Sequence, residues 1–231
     1  MFVMHGVNRD GRRYRDSWVD HSYQQQFMLV APEFDLDMYP ESESYSLANV
    51  ISESGEVNPA EQWIFNHIEG IFDQVKQLTG SSAETYNIYG HSSGAQLIHR
   101  MIMLRPDSRI RLAIAANSGW YTLPTFDQDF PYGLNGIPID EATLRDAFAQ
   151  ELIIMLGSED TDPDHRNLNQ SQRVAEQGSH RLARGQHFFE QARAQAETLN
   201  LPFRWHLQIV EGVGHSNAGI SEAAALLLGS R

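Results

Sequence analysis

The feature that most constrains the fold is a Gly-x-Ser-x-Gly turn at residues 90–94, placed between a strand-like and a helix-like segment. Residues 86–89 are rich in β-forming side chains, and residues 97–104 carry apolar side chains at helical spacing. A chain that passes this abruptly from strand to helix holds the turn residue in a strained conformation, and the flanking glycines leave room for neighbouring backbone. Ser92 is therefore predicted at the tip of the turn, beside the free N–H groups of a helix N-terminus.

Strand-like and helix-like segments alternate along the rest of the chain. The predicted strands are residues 2–4, 27–31, 86–89, 110–116, 152–156 and 203–210. The predicted helices are residues 13–25, 58–79, 97–105, 141–150, 180–199 and 216–228. This alternation predicts an α/β fold with a mostly parallel sheet of about six strands and helices on both faces. Two long stretches without periodicity, residues 33–58 and 117–139, are predicted as loops.

Size and charge narrow the class of protein. The 231 residues suit a single domain spanning 1–231. Seventeen basic residues against thirty acidic ones give a net charge of −13, which disfavours nucleic acid and anionic membranes as partners. The chain has no cysteine, so disulfides, thiolate metal sites and a cysteine nucleophile are excluded. No apolar run approaches the roughly 20 residues that a membrane span needs.

The chain opens almost directly on a predicted strand, at residues 2–4. We therefore expect that a leader, or the usual N-terminal strands of the sheet, precede it. The compartment stays open between the cytoplasm and secretion with a leader removed, and the oligomeric state is not fixed by the sequence.

Three polar residues follow three different predicted strands. In open parallel sheets, ligands bind beyond the carboxyl ends of the strands. Ser92 follows one strand, the acidic cluster Glu159, Asp160 and Asp162 follows another, and His215 lies in a glycine-flanked loop after the last. A serine hydroxyl needs a base within hydrogen-bond reach to act as a nucleophile, and a carboxylate can orient that base. These residues therefore predict nucleophilic catalysis at one edge of the sheet.

With these residues the chain resembles the α/β-hydrolase superfamily, in which Gly-x-Ser-x-Gly forms the nucleophile elbow and Ser, Asp and His follow in that order. The resemblance runs from His5-Gly6 to His215. It implies that Ser92 is the nucleophile, His215 the base and Asp160 the acid. The spacing Gly157-x-x-Asp160 matches the one that similar hydrolases use, and Asp162 is the main alternative.

The resemblance also implies an oxyanion hole and a pocket. The two hole donors would be the backbone N–H groups of Ser93 and of Val7, the residue after His5-Gly6. The candidate pocket residues are Asn8, His91, Trp120 and Tyr121. Two alternatives stay open: His91 is a structural residue beside the elbow, and the aromatic rings cover a small separate core.

The pattern is most similar to the polyhydroxyalkanoate depolymerase and feruloyl esterase side of the superfamily. The residues that carry this likeness are His5-Gly6 without a glycine triplet, Gly-His-Ser-Ser-Gly at 90–94, and strand spacings that leave a small cap or none. They imply a carboxylic-ester hydrolase that forms an acyl-enzyme on short-chain, small aryl or polyester-type esters. A serine peptidase of the same fold and a non-catalytic binding module are the alternatives. No motif for a nucleotide cofactor or a metal occurs, so neither is expected.

Overall fold

The computed structural model describes residues 1–229, and its centre is one sheet of five parallel strands. The strands are β1 (Phe2–Met4), β2 (Tyr86–His91), β3 (Ile110–Ala116), β4 (Leu152–Gly157) and β5 (Trp205–Val210). They lie in the order β1-β2-β3-β4-β5, and each pairs in parallel with the next. The carboxyl ends of all five strands therefore meet along one edge of the sheet.

Eight helices connect and cover the strands. They are α1 (Gly11–Asp16), α2 (Val19–Gln25), α3 (Ile64–Thr79), α4 (Ser93–Leu104), α5 (Glu141–Phe148), α6 (Gln172–Ala175), α7 (Arg181–Thr198) and α8 (Asn217–Gly229). A short 3₁₀ turn, Ala60–Gln62, precedes α3. These eight helices lie within residues 1–229.

Apolar side chains cover both faces of the sheet, as a parallel sheet requires. Along β4, Leu152, Ile154 and Leu156 enter one core, while Ile153 and Met155 enter the other. Each side of the sheet thus has its own packed layer of helices. The α4 helix lies in the larger core, and all twelve of its residues are buried.

The helix predicted over 58–79 begins at Ile64, after the 3₁₀ turn. Two other predicted elements differ more from the structure. The predicted strand at residues 27–31 is reduced to one bridge, where Val30 N–H donates to Met1 O and Val3 N–H donates to Val30 O, both at 2.9 Å. The adjacent strand β1 has only three residues and offers few partners, so the sheet has five strands rather than six. The predicted helix at residues 13–25 is broken between α1 and α2, where Trp18 buries its ring against Tyr89 at a centroid distance of 4.8 Å.

The two segments predicted as long loops, residues 33–58 and 117–139, contain turns and isolated bridges but none of the named helices or strands. Neither segment adds a helical cap, and both contribute side chains to the larger core, among them Tyr45 and Leu134. In the described part of the chain, no helix combines the length and the apolar composition needed to cross a membrane.

Candidate active site

Ser92 lies at the sharp turn between β2 and α4. Its backbone has φ 59° and ψ −116°, a conformation that side-chain-bearing residues rarely adopt. Gly90 and Gly94, on either side of this turn, are required because there is no space for a Cβ at these positions. A Cβ on Gly90 would lie 2.5 Å from backbone atoms of Gly94, and a Cβ on Gly94 would lie 2.4 Å from the carbonyl oxygen of Met4. The predicted turn at Ser92 is thus held by close backbone packing, which lifts its hydroxyl to the edge of the sheet.

The structure brings the three predicted side chains together at that edge. The Nε2 atom of His215 lies 3.2 Å from Ser92 Oγ, and its Nδ1 atom lies 2.8 Å from Asp160 Oδ2. Asp160 is 2% exposed, whereas Asp162 is exposed and accepts instead from the Asp164 N–H. Of the carboxylates considered from the sequence, Asp160 is the one that contacts the imidazole. A hydroxyl, an imidazole and a buried carboxylate in one chain can deprotonate the hydroxyl as it attacks.

The loop that carries His215 is tied to the neighbouring strands by Asn117, a residue that the sequence reasoning did not single out. The buried Asn117 amide donates to Gly214 O at 3.1 Å and accepts from Gly157 N–H at 2.8 Å. Its backbone φ of 47° marks a left-handed residue directly after β3. Asn117 therefore links the ends of β3 and β4 to the histidine loop. The only sequence signal for it was an Asn directly after a predicted strand, a residue type that adopts left-handed conformations more readily than most.

A second missed residue is Arg181, the first residue of α7. It is 1% exposed, and its NH1 atom lies 3.4 Å from Asp160 Oδ1, the carboxylate oxygen that does not face His215. Its NH2 atom lies 3.1 Å from His165 Nδ1. Burial lowers the pKa of Arg181, which Asp160 opposes. Nothing in the sequence distinguishes this arginine from a surface residue at the start of a helix.

The segment at the end of β1 lies directly beside Ser92. A Cβ on Gly6 would lie 3.6 Å from the Cβ of Ser92 and 2.5 Å from Tyr14 Oη, so a side chain at this position would displace the Tyr14 hydroxyl. The backbone N–H of Val7 follows Gly6, and that of Ser93 begins α4. Among residues 1–229, neither N–H group donates to another protein group. Both are therefore free to bind a ligand oxygen beside Ser92.

His5 fixes the conformation of this segment. Its Nε2 accepts from the Phe34 N–H at 2.9 Å, so its Nδ1 carries the proton and donates to Gly6 O at 3.1 Å. The ring stacks on Tyr45 at 4.7 Å. Burial lowers the pKa of His5 to about 4, so the ring is neutral at neutral pH.

His91, the residue before Ser92, is buried and packs against His215. Its Nδ1 lies 2.9 Å from Tyr14 Oη, and its ring centroid lies 4.6 Å from that of His215. Burial holds the pKa of His91 well below its ordinary value, with the nearby His215 and Arg181 acting in the same direction. His91 is thus a neutral ring packed against the candidate base.

These groups open into a cleft of about 300 Å³. Polar and apolar atoms share its lining about equally, and the lining includes Gly6, Val7, Asn8, Asp10, Arg13, Tyr14, His91, Ser92, His165, Arg166, Asn167 and His215. Asn8 and His91 therefore line the cleft as the sequence suggested. Arg13 and Arg166 were not anticipated; neither forms an ion pair with a carboxylate of the described chain.

Trp120 and Tyr121 do not line this cleft, so the expected aromatic rim is not formed by these two residues. Trp120 packs under the buried guanidinium of Arg100, 4.5 Å from the ring centroid. Tyr121 stacks on Phe188 of α7 at 4.4 Å and is fully buried. Both rings gain more from packing than from facing solvent. The alternative of a small separate core holds for Trp120, which packs with Leu47 and Val174, whereas Tyr121 lies in the main core.

No group of three or more His, Asp or Glu side chains in residues 1–229 is arranged to hold a metal ion.

The α/β-hydrolases are defined by a mostly parallel sheet and a serine at a strained strand-to-helix turn, together with an imidazole and a carboxylate that follow later strands. The structure has all of these features. The chain belongs to this superfamily and is a hydrolase. Within it, the chain lies on the side that includes the bacterial poly(3-hydroxybutyrate) depolymerases, as two solved structures show.

The first is poly(aspartic acid) hydrolase-1 from Sphingomonas sp. KT-1, with 41% identity and a TM-score of 0.96 over 98% of this chain and 86% of that one. The second is the poly(3-hydroxybutyrate) depolymerase LpqC from Bordetella parapertussis, with 33% identity and a TM-score of 0.93 over 98% and 76%. TT1662 from Thermus thermophilus, at 15% identity and a TM-score of 0.58 over 98% and 85%, shares the fold alone. No family model and no curated protein matches the sequence.

Proposed function

We propose that the protein is a serine carboxylic-ester hydrolase that works through an acyl-enzyme. The observation that carries the proposal is the unbroken chain of contacts from Ser92 Oγ to His215 Nε2 at 3.2 Å and from His215 Nδ1 to Asp160 Oδ2 at 2.8 Å. These distances lie within the range expected for an activated serine.

The residues take the following roles. Ser92 attacks the ester carbonyl while His215 Nε2 removes the hydroxyl proton, and His215 then returns that proton to the leaving alcohol. Asp160 accepts the Nδ1–H bond, which fixes the tautomer and stabilises the imidazolium that forms. Water then repeats the sequence on the acyl-enzyme, with His215 again as the base.

The Val7 and Ser93 N–H groups form the proposed oxyanion hole. Developing negative charge on the carbonyl oxygen needs donors that are already fixed in place, and each is worth about 3 kcal/mol in the transition state. Gly6 against Ser92 and the N-terminus of α4 behind Ser93 support this assignment. The partial positive charge of the helix terminus adds to the effect.

The acyl group is proposed to be short, or part of a polyester chain. A cleft of about 300 Å³ suits a small acyl or hydroxyacyl unit, and because the cleft is partly open and its lining is both polar and apolar, a polyester chain has room to continue from it. The 33% identity to a poly(3-hydroxybutyrate) depolymerase supports a substrate of this kind.

Hydrolysis of p-nitrophenyl esters of increasing acyl length tests the proposal. We expect turnover of p-nitrophenyl acetate and butyrate, and a loss of at least about 1,000-fold in kcat for Ser92→Ala. A fluorophosphonate should label the native protein stoichiometrically and leave Ser92→Ala unlabelled. Ser54→Ala, which changes an exposed serine of the 33–58 loop, serves as the matched control. Equal rates in Ser92→Ala and the native protein would favour the non-catalytic binding module.

A second candidate function is hydrolysis of the amide bonds of a carboxylate-bearing polymer. The specific observation is that Arg13 and Arg166 bring two cations, against the one carboxylate of Asp10, to the cleft of a chain whose net charge is −13. The 41% identity to a poly(aspartic acid) hydrolase supports the same substrate class. Exposed guanidinium groups bind carboxylates readily, so a polyanion would gain affinity at this cleft.

Competing substrates separate the two candidates. Release of oligomers from poly(aspartic acid), compared with release from suspended poly(3-hydroxybutyrate), shows which polymer is cleaved. If the polyanion is the substrate, Arg13→Gln and Arg166→Gln should each raise its KM by about 3- to 10-fold and leave KM for p-nitrophenyl butyrate unchanged. Arg12→Gln, an exposed arginine outside the cleft, is the control.

A further inference from the structure

The Asp160 carboxylate has two buried partners. Its Oδ2 atom faces His215 and its Oδ1 atom faces Arg181, so one carboxylate is shared between the candidate base and a guanidinium. Both Asp160 and Arg181 are almost completely removed from water, at 2% and 1% exposure. A buried carboxylate beside a neutral imidazole would carry an unopposed charge, which is costly.

Arg181 also holds a cleft residue. Its NH2 atom lies 3.1 Å from His165 Nδ1, which also accepts from the Asn167 N–H at 3.2 Å. Because an arginine only donates, His165 Nδ1 is unprotonated and its proton is on Nε2. The His165 ring lines the cleft, with its centroid 5.2 Å from that of His215. The Arg181 guanidinium therefore contacts both the Asp160 carboxylate and His165 in the wall of the cleft.

We propose that Arg181 is a positioning residue that acts on the reaction through Asp160, by fixing the rotation of its carboxylate and opposing its charge while His215 is neutral. The inference rests on the proposed function, because it assigns a part to Arg181 in that same reaction. The same guanidinium also fixes the position of His165, so it connects the wall of the cleft to the Asp160 carboxylate.

Other charged or titratable groups surround the Asp160–Arg181 pair. Those that face Asp160 or Arg181 from the packed elements are Tyr121, Asp162, His91, His165, His215 and Arg184. Asp162 is exposed, and its charge is screened by solvent. Arg181 is thus the buried cation in direct contact with the Asp160 carboxylate.

The charge balance sets the sign of the expected effect. With Arg181 present, ionised Asp160 and neutral His215 coexist without a net buried charge. Without the guanidinium, the carboxylate attracts a proton to the Asp160–His215 pair, and the reactive form with a neutral base requires a higher pH. The acid limb of kcat/KM should therefore move upward when Arg181 is replaced by an apolar side chain.

The test is the pH profile of p-nitrophenyl butyrate hydrolysis. For Arg181→Met, we expect the midpoint of the acid limb to rise by about one pH unit and the plateau of kcat to fall by about 10-fold or more. Arg181→Lys keeps the charge, so its midpoint should stay close to that of the native protein. An unchanged midpoint in a folded Arg181→Met protein would overturn the proposal.

Arg184 supplies the matched control, because it is a second buried arginine on α7 that binds no carboxylate in the described chain. Its guanidinium donates to the carbonyl oxygens of Gly119, Asn169 and Gly178 at 2.8–2.9 Å. Arg184→Met should lower the melting temperature without moving the acid limb. An equal shift in both methionine variants would mean that loss of buried packing, rather than contact with Asp160, is responsible, and would overturn the proposal.

A double-mutant cycle covers the case in which Arg181→Met does not fold. If Arg181 acts through Asp160, Arg181→Lys lowers kcat in the native background and has little further effect in Asp160→Asn. Additive losses would overturn the inference. Fluorophosphonate labelling of Ser92 in the native protein keeps the two proposals apart: failure to label rejects the proposed function and this inference with it, whereas labelling with an unchanged Arg181→Met profile rejects this inference alone.

Discussion

At the scale of single residues, the two aspartates after β4 differ in what they touch. Asp160 Oδ2 lies 2.8 Å from His215 Nδ1, while Asp162 is exposed and bonds only locally. We expect Asp160→Asn to lower kcat by about 1,000- to 10,000-fold, because an amide at that position favours the wrong imidazole tautomer. Asp162→Asn should change kcat by less than about 3-fold. A larger loss in Asp162→Asn, measured with p-nitrophenyl butyrate, would reassign the acid.

How far the sequence predicts the site depends on whether a residue's role is local or distant. Ser92 was predicted from the glycines two positions before and after it, and His215 and the acidic cluster from their positions after predicted strands. Within that cluster, Asp160 was preferred through the resemblance, by its spacing from Gly157. Arg181 was missed because its role depends on a carboxylate 21 positions earlier in the chain. Trp120 was wrongly predicted at the cleft, because a loop aromatic has no local signal that reports the buried Arg100 guanidinium lying over its ring.

At the scale of elements, the turn between β2 and α4 depends on backbone atoms that come from β1. A methyl group on Gly94 would lie 2.4 Å from Met4 O and 2.8 Å from His5 O, neither of which can move without disturbing the sheet. We expect Gly94→Ala to lower the free energy of unfolding by about 2–3 kcal/mol, measured by urea denaturation. Fluorophosphonate labelling of Ser92 should slow as well, because the strand-to-helix turn shifts.

The same substitution at Gly70 is the control for Gly94→Ala. Gly70 lies inside α3, and a Cβ there would meet nothing within 4 Å. Gly70→Ala should raise the free energy of unfolding by about 0.5–1 kcal/mol, since alanine is the better helix former. Equal stability of the two variants would show that the turn tolerates a side chain and that the glycine is not required by space.

Strands were predicted correctly where the apolar pattern of the segment is sufficient, and wrongly where a strand also depends on a neighbouring strand to pair with. The strand at 110–116 follows from its own apolar run and is confirmed with the same bounds. Residues 27–31 have an equally apolar pattern, yet they form only one bridge, because β1 gives them few partners. The apolar pattern of residues 27–31 carries no information about the length of β1, the strand beside them in the structure.

At the scale of the whole molecule, three buried histidines tie stability to pH. Burial lowers the pKa of His5 to about 4 and holds those of His91 and His99 well below the ordinary value of 6.5. The unfolded chain binds protons at these positions near pH 6.5, whereas the folded chain does not. The unfolded state therefore holds more protons between about pH 4 and 6.5, and the free energy of unfolding must fall as the pH is lowered through that window.

Each such histidine lowers stability by about 1.4 kcal/mol at pH 5.5 relative to a pH well above 6.5. We therefore expect urea denaturation to give a free energy of unfolding about 3–4 kcal/mol lower at pH 5.5 than at pH 7.5. His99→Gln should remove about a third of this difference, because His99 is buried among Ala95, Thr122 and aromatic rings. His206→Gln, at a side chain that is 59% exposed and 3.8 Å from Glu151, should not reduce the difference. Equal stability of the native protein at the two pH values would mean that these rings accept protons as readily in the folded chain as in the unfolded one, contrary to their burial.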